Sequence, residues 1–232
     1  MSKYVQAGDV VRLILGCPAA IYKDKAARDH YKAYMTDDGN LSFETDKNKY
    51  DITVISTLVL PEASGAPYVY PQLFKGKRVA VIDIGGLNMN FSIFNDLVVD
   101  LDSMHTINYG GYMIEDKVKS LFSSKYGVSL SQADFEQVVL NGGLKKDGTL
   151  VPESHTLLNG IYENFVREIP NVIKGFDYDI SLMDVLFVGG TANLLRNEIS
   201  KLIPYAQVAE DSSNTNVLGF LKVGELKYGA SQ

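Results

Sequence analysis

The chain has 232 residues, 46% of them apolar, and its 22 basic and 28 acidic side chains leave a formal charge of −6. This composition supports a real core in one large domain or two small ones, and the negative balance argues against direct binding to nucleic acid or an anionic lipid surface. Cys17 is the only cysteine, so no internal disulfide forms and a reducing, cytoplasmic setting fits best.

In chain order, "DVVRLILGCP" (9–18) reads as a strand that ends at Gly-Cys-Pro, and "KDKAARDHYKAYM" (23–35) has helical composition and spacing. "DDGN" (37–40) is a turn. "LSFET" and "YDITVISTLVL" then read as two strands joined by the charged "DKNK", the second ending at Pro61-Glu62. Residues 62–77 mix small residues, prolines and tyrosines, which predicts a short helix or loop.

The stretch "RVAVIDIGGLNMNFSIF" (78–94) carries the first chemical signal. Val79, Ala80, Val81, Ile82 and Ile84 form a run suited to a strand covered on both faces, and Asp83 interrupts it. Gly85-Gly86 then permits positive φ or the close approach of another group, and period-two alternation resumes in a second strand. "LVVDLDSMHTIN" (97–108) adds a third, so the three read as an antiparallel meander. Gly110-Gly111 precedes a helix marked by Met113, Ile114, Val118, Leu121 and Phe122.

Further on, "SLSQADFEQVVLNGG" (129–143) reads as a helix capped at Ser129 or Ser131 and stopped by Gly-Gly. An Asp-Gly turn follows, then a longer helix perturbed by Pro170. "LMDVLFVGGTANLLRNEISKLI" (182–203) returns to a buried strand, a double-glycine turn and an amphipathic helix. "YAQVAE" is a further strand, and "SNTNVLGFLKVGELK" a closing helix containing Gly219. No stretch approaches the roughly 20 apolar residues needed to span a bilayer. His30, His105 and His155 are too far apart to read as a local metal site.

Two strand-to-turn junctions, "IDIGGLN" and "FVGGTANLL", each put two glycines directly after a buried strand. In the second, Gly189-Gly190-Thr191 opens a helix near Ala192, where free N–H groups favour an anion or the polar edge of a nucleotide. In the first, N–H groups around Gly86, Leu87 and Asn88 form a nest for phosphate oxygens. Asp83 beside such a nest repels phosphate unless a cation intervenes, which implies Mg²⁺ held through water. The plainer alternatives are tight turns with nothing bound and an Asp83 that caps the hairpin. Glu62, delivered to the sheet's edge by Pro61, is a candidate to orient or deprotonate water, or else an exposed helix-start glutamate.

The order "VAVIDIGGLNMNFSIF", "INYGG", "LFVGGTANLL", "NVLGFLKVGE" resembles the actin-like ATPases of the ParM plasmid-segregation type. "VVRLILGCP" and "LVLPEASGAP" resemble the segments that precede that family's second phosphate loop. The resemblance implies an α/β fold, an actin-like (ribonuclease H-like) mixed sheet flanked by helices. Residues 1–111 and 181–232 would form the core subdomain and 112–180 a smaller inserted αβ subdomain. It also implies a cytoplasmic, filament-forming ATPase that binds ATP/ADP with Mg²⁺, self-associates, and meets plasmid DNA only through an adaptor protein.

By that resemblance Asp83 holds the metal through water, Gly85, Gly86, Leu87 and Asn88 form the second phosphate loop, and Glu62 is the catalytic glutamate. Gly189, Gly190, Thr191 and Ala192 form the adenosine motif, and Gly110 and Gly111 open the next helix. The family's second loop often carries threonines and a further acid, whereas this sequence has Leu87 and ends the motif at Asn90. Residues 1–10 contain nothing like the family's first phosphate-loop hairpin, so the sequence reads as lacking that domain and as weakly active alone. A non-catalytic assembly or capping module is the alternative, and a sugar-kinase or phosphatase relative is disfavoured by "NVLGFLKVGE".

Overall fold

The computed structural model describes residues 5–45 and 48–229; part of the charged connection expected at "DKNK" lies outside them. The chain divides into two compact units, residues 1–81, 90–106 and 214–232 forming one and residues 82–89 and 107–213 the other.

The first unit starts with β1 (Val10–Cys17), α1 (Ala19–Lys23), α2 (Lys25–Thr36), β2 (Asn40–Thr45) and β3 (Asn48–Pro61). The sheet order is β1-β3-β2. β3 runs parallel to β1 and antiparallel to β2. The Asp24 side chain accepts from the Ala27 N–H at 3.0 Å, satisfying one of the donors left over where α2 begins. Leu15, Cys17 and Val59 are buried together, with Ile21, Tyr22 and Tyr31 packed against them. Two short helices follow, α3 (Ala66–Val69) and α4 (Pro71–Phe74).

Next come β4 (Arg78–Ile84), β5 (Met89–Asn95) and β6 (Val98–Ile107). Every residue of β4 after Arg78 is buried, as is every residue of β5 before Asn95. That is why β4 reads as an apolar run, whereas β5 keeps its alternation and buries the polar Asn90 and Ser92 along with Met89, Phe91 and Ile93. Asp96 takes φ +58° at the bend into β6 and its carboxylate accepts from the Gly76 N–H at 2.7 Å.

In the second unit α5 (Gly111–Tyr126) ends on Gly127 at φ +64°, a left-handed cap. α6 (Gln132–Asn141) starts in a capping box between Ser131 and Asp134. The hairpin of β7 (Lys145–Lys146) and β8 (Thr149–Leu150) turns on Asp147 and Gly148, both at positive φ, as the Asp-Gly pair predicts. α7 (Pro152–Lys174) continues unbroken past Pro170. The proline forfeits one helical bond, but Ile161, Phe165, Ile169 and Ile173 are buried on both sides of it and hold the helix in place.

β9 (Asp184–Val188) then leads to α8 (Gly190–Leu194), α9 (Arg196–Leu202) and β10 (Ala206–Val208). The single amphipathic helix expected here is two short ones, separated at Leu195. The five-stranded sheet has the order β10-β9-β4-β5-β6. Finally α10 (Thr215–Tyr228) returns to the first unit and packs against α3 and β1. Gly219 meets the backbone of Gly65 there, and Phe220 covers Gly16.

Candidate functional site

Asp83 lies near the end of β4 between Ile82 and Ile84, which are fully buried, and is itself only 6% exposed. A carboxylate in such a place is costly unless its oxygens are used. Its Oδ1 faces the second glycine bend: a Cβ built on Gly189 would lie 2.5 Å from it and would also strike the Ile84 carbonyl. Gly189 takes φ +98° as well, so steric room and backbone conformation both require glycine at this position.

The two glycine bends are tied together. Thr191 Oγ1 donates to the Gly85 carbonyl at 2.9 Å. Gly111 N donates to the same carbonyl at 3.0 Å, and Tyr112 N donates to the Gly86 carbonyl at 2.7 Å. The first bend is closed internally by Gly85 N donating to Asn88 O at 2.9 Å. A Cβ on Gly110 would press on Leu87, the Gly86 carbonyl and Asn88 N, so glycine there admits the backbone of the loop. Ser212 pins the second bend, accepting from Gly189 N at 2.8 Å and donating from Oγ to the Gly189 carbonyl at 3.0 Å. Arg196 Nη2 donates to the Ala209 carbonyl at 2.6 Å and holds the adjoining segment.

Of the sequence-predicted residues, Asp83, Gly85, Gly86, Leu87, Asn88, Gly110, Gly111, Gly189, Gly190, Thr191 and Ala192 all fall in the second unit. Their roles in the framework differ. Thr191 and Ala192 are buried, and the Thr191 hydroxyl is engaged in tying the bends. α8 is only five residues long, so it contributes little macrodipole. Gly85 and Gly86 are not at positive φ. Nothing lies within 4 Å of where a Gly86 Cβ would be, and a Gly190 Cβ would meet only Ser213 Oγ at 3.9 Å. Among the described residues the N–H groups of Gly86 and Leu87 donate no recorded hydrogen bond. Internal packing therefore explains Gly110 and Gly189, whereas a side chain at Gly86 or Gly190 would meet no close neighbour.

The Asp83 carboxylate lies at these bends, and Mg²⁺ is a metal that such a site fits. Among the described residues no group of three or more His, Cys, Asp or Glu is gathered for an all-protein metal site. Mg²⁺ keeps several waters and takes one or two carboxylates together with substrate phosphates, which is what a single Asp83 beside an open backbone bend offers.

Glu62 belongs to the first unit. Its N–H donates to the Cys17 carbonyl at 2.8 Å, continuing the β1–β3 pairing past Pro61, so the sheet's end fixes where the side chain starts. Its Oε2 accepts from Asn90 Nδ2 at 2.6 Å, and Asn90 Oδ1 accepts from Thr106 Oγ1 at 2.9 Å. Burial raises the Glu62 carboxyl above its ordinary value, and the Asn90 hydrogen bond offsets part of that rise. Burial and the Glu62 charge push the Cys17 thiol up to about 11 despite Arg28, so it is a protonated core residue rather than a nucleophile. Sequence reasoning missed Asn90, Thr106 and Ser212 as site framework. The only sequence signal was a polar Asn90 in the buried strand β5; Thr106 and Ser212 lie in stretches already rich in polar residues.

No protein-family model matches the sequence, and no curated protein matches it. Among solved structures, the chain is similar to an Alp12 filament structure, at 26% identity over 97% of this chain and 71% of that one, with TM-score 0.67. It is similar to a 15-stranded ParM filament from Clostridium botulinum, at 16% identity over 92% of this chain and 66% of that one, with TM-score 0.74. It is also similar to Ta0583, an archaeal actin homologue, in complex with ADP, at 16% identity over 94% of this chain and 73% of that one, with TM-score 0.73. The chain has an actin-like α/β fold of the ParM type, a mixed sheet flanked by helices.

Proposed function

We propose that the chain is the nucleotide-binding part of an actin-like ATPase that self-associates into filaments and serves plasmid segregation through an adaptor on plasmid DNA. The observation that carries this reading is the pair of glycine bends tied around Asp83, with Gly86 and Gly190 open where a side chain would otherwise sit. Similarity to filament structures of Alp12 and ParM supports self-association, and similarity to an ADP complex supports ATP or ADP as the ligand. The charge of −6 favours an adaptor over direct DNA contact. Among the described residues no helix is long and apolar enough to cross a membrane. A single buried thiol suits the cytoplasm.

In this reading the N–H groups of Gly86 and Leu87 face phosphate oxygens, while Gly189 and Gly190 let the adenosine approach backbone. Thr191, Ala192, Gly110 and Gly111 keep the two bends in register. Asp83 holds Mg²⁺ through water, and the ion when bound neutralises charge on the phosphates. Glu62 orients the attacking water and accepts its proton. The test is ATP–Mg²⁺ binding and light scattering of this chain and its Asp83→Ala form. Loss of binding and of nucleotide-dependent scattering is expected, and equal behaviour of the two proteins would remove the metal role.

Leu87 favours a second reading. It is 75% exposed at the tip of the first bend, and its side chain brings no hydrogen-bonding group to a phosphate. A non-catalytic assembly or capping module would tolerate that. Co-sedimentation with a filament-forming relative distinguishes the two: incorporation without nucleotide turnover supports the module, and no association discards it.

A further inference from the structure

Glu62 is held by only one of its two oxygens. Oε2 accepts from Asn90 Nδ2 at 2.6 Å, whereas among the described residues Oε1 takes part in no recorded hydrogen bond. Asn90 is 2% exposed at the start of β5, so its amide has little freedom to turn. An asparagine amide can present either its oxygen or its nitrogen, and only the nitrogen can donate to a carboxylate. The ionised Glu62 carboxylate only accepts, so Nδ2 must face it, and Thr106 on the neighbouring strand β6 completes the arrangement by donating its hydroxyl to Asn90 Oδ1 at 2.9 Å. Were Asn90 an aspartate, two carboxylates would face each other in a half-buried place and one would take up a proton.

We infer that Asn90 and Thr106 are positioning residues that anchor one oxygen of Glu62 and leave the other directed at water, keeping the carboxylate ionised. This rests on the reading of Glu62 as the group that activates water. The chain Thr106, Asn90, Glu62 spans β6, β5 and the end of β3, so three strands fix one carboxylate. The other titratable groups around Glu62 are Cys17 on β1 and Tyr31 on α2, both raised by burial and uncharged at neutral pH, with Arg28 on α2 acting on Cys17. None of them supplies the donor that Asn90 supplies, since Tyr31 donates its hydroxyl to the Gly16 carbonyl and Arg28 donates to the Tyr22 carbonyl.

The experiment has two arms. The first follows the Glu62 carboxyl carbon by ¹³C NMR titration of the ligand-free full chain, in wild type, Asn90→Ala, Asn90→Asp and Thr106→Val. The midpoint is expected to rise in Asn90→Ala, to rise further in Asn90→Asp, and to rise least in Thr106→Val. An unchanged midpoint in folded Asn90→Ala overturns the inference. If that variant does not fold, an unchanged midpoint in Thr106→Val overturns it equally.

The second arm measures ATP hydrolysis against pH. In Asn90→Ala kcat is expected to fall about tenfold or more with KM within about twofold, and the acid limb should move with the NMR midpoint. Asn90→Ser, which keeps a donor, should recover part of the loss. A rise in KM together with a fall in kcat, with no shift of the acid limb, would mark a merely structural residue and contradict positioning. A wild-type chain that hydrolyses no ATP would remove the water-activating role, while the first arm would still decide the hydrogen-bond relay.

Discussion

Two glycine pairs in this molecule look alike in sequence composition and do opposite things. In the first unit Gly65 and Gly219 stand against each other, and a methyl on Gly219 would collide with the Gly65 backbone. In the second unit Gly86 has empty space where its Cβ would be, and Gly190 has only a serine hydroxyl at 3.9 Å. The first pair lets α10 approach α3, so its reason lies within the fold. The second pair has no such neighbour, and under the proposed function its open space takes the nucleotide. A glycine is explained by the atoms its missing side chain would displace.

Four substitutions break or sharpen that contrast. The largest effect is expected for Gly219→Ala. Overpacking against backbone costs about 3 kcal/mol, set against about 1 kcal/mol gained in helix propensity. Thermal unfolding should show a Tm lower by roughly 4–8 °C, since each kcal/mol shifts a chain of this size by about 2–4 °C. An unchanged Tm would mean that α10 and α3 are not in close contact.

Gly189→Ala comes next. The residue sits at φ +98° and its methyl would meet Asp83 and the Ile84 carbonyl. Left-handed strain alone costs about 1–2 kcal/mol. Calorimetry should show both a lower Tm and weaker ATP–Mg²⁺ binding. Retention of both would separate Asp83 from this bend.

A smaller, pH-dependent effect is expected for Glu62→Gln. Burial raises the folded-state carboxyl above its ordinary value. The native state therefore binds the proton more tightly than the unfolded chain, and stability from this group is full below the unfolded value and is lost as pH rises through the folded one. Glu62→Gln should thus raise Tm at pH 7 to 8, with the gain vanishing below about pH 4. A gain that persists in acid would indicate a packing effect instead.

Much of the framework was legible because it is local. The buried run from Val79 to Ile84, the capping box at Ser131 and the Asp147-Gly148 turn each follow from neighbouring residues. What the sequence hid is non-local. Glu62 meets Asn90 28 residues later, and Asn90 meets Thr106 after a further 16, through pairings that no periodicity encodes. The break at Leu195 was hidden for a different reason: an amphipathic pattern continues across it, yet α8 and α9 are separate. The diglycine motifs announced two bends after buried strands, but only coordinates separate Gly189, required by conformation and contact, from Gly86, required by neither.

That distinction makes Gly86→Ala the sharpest probe. Nothing in the chain opposes the added methyl, so Tm should stay within about 2 °C of wild type, or rise slightly as the unfolded chain loses freedom. Titration calorimetry with ATP–Mg²⁺ on the same two proteins should show affinity lower by about tenfold or more, as expected when a methyl occupies ground meant for phosphate oxygens. Equal affinity in a folded Gly86→Ala protein would contradict the assignment of this bend as a phosphate cradle.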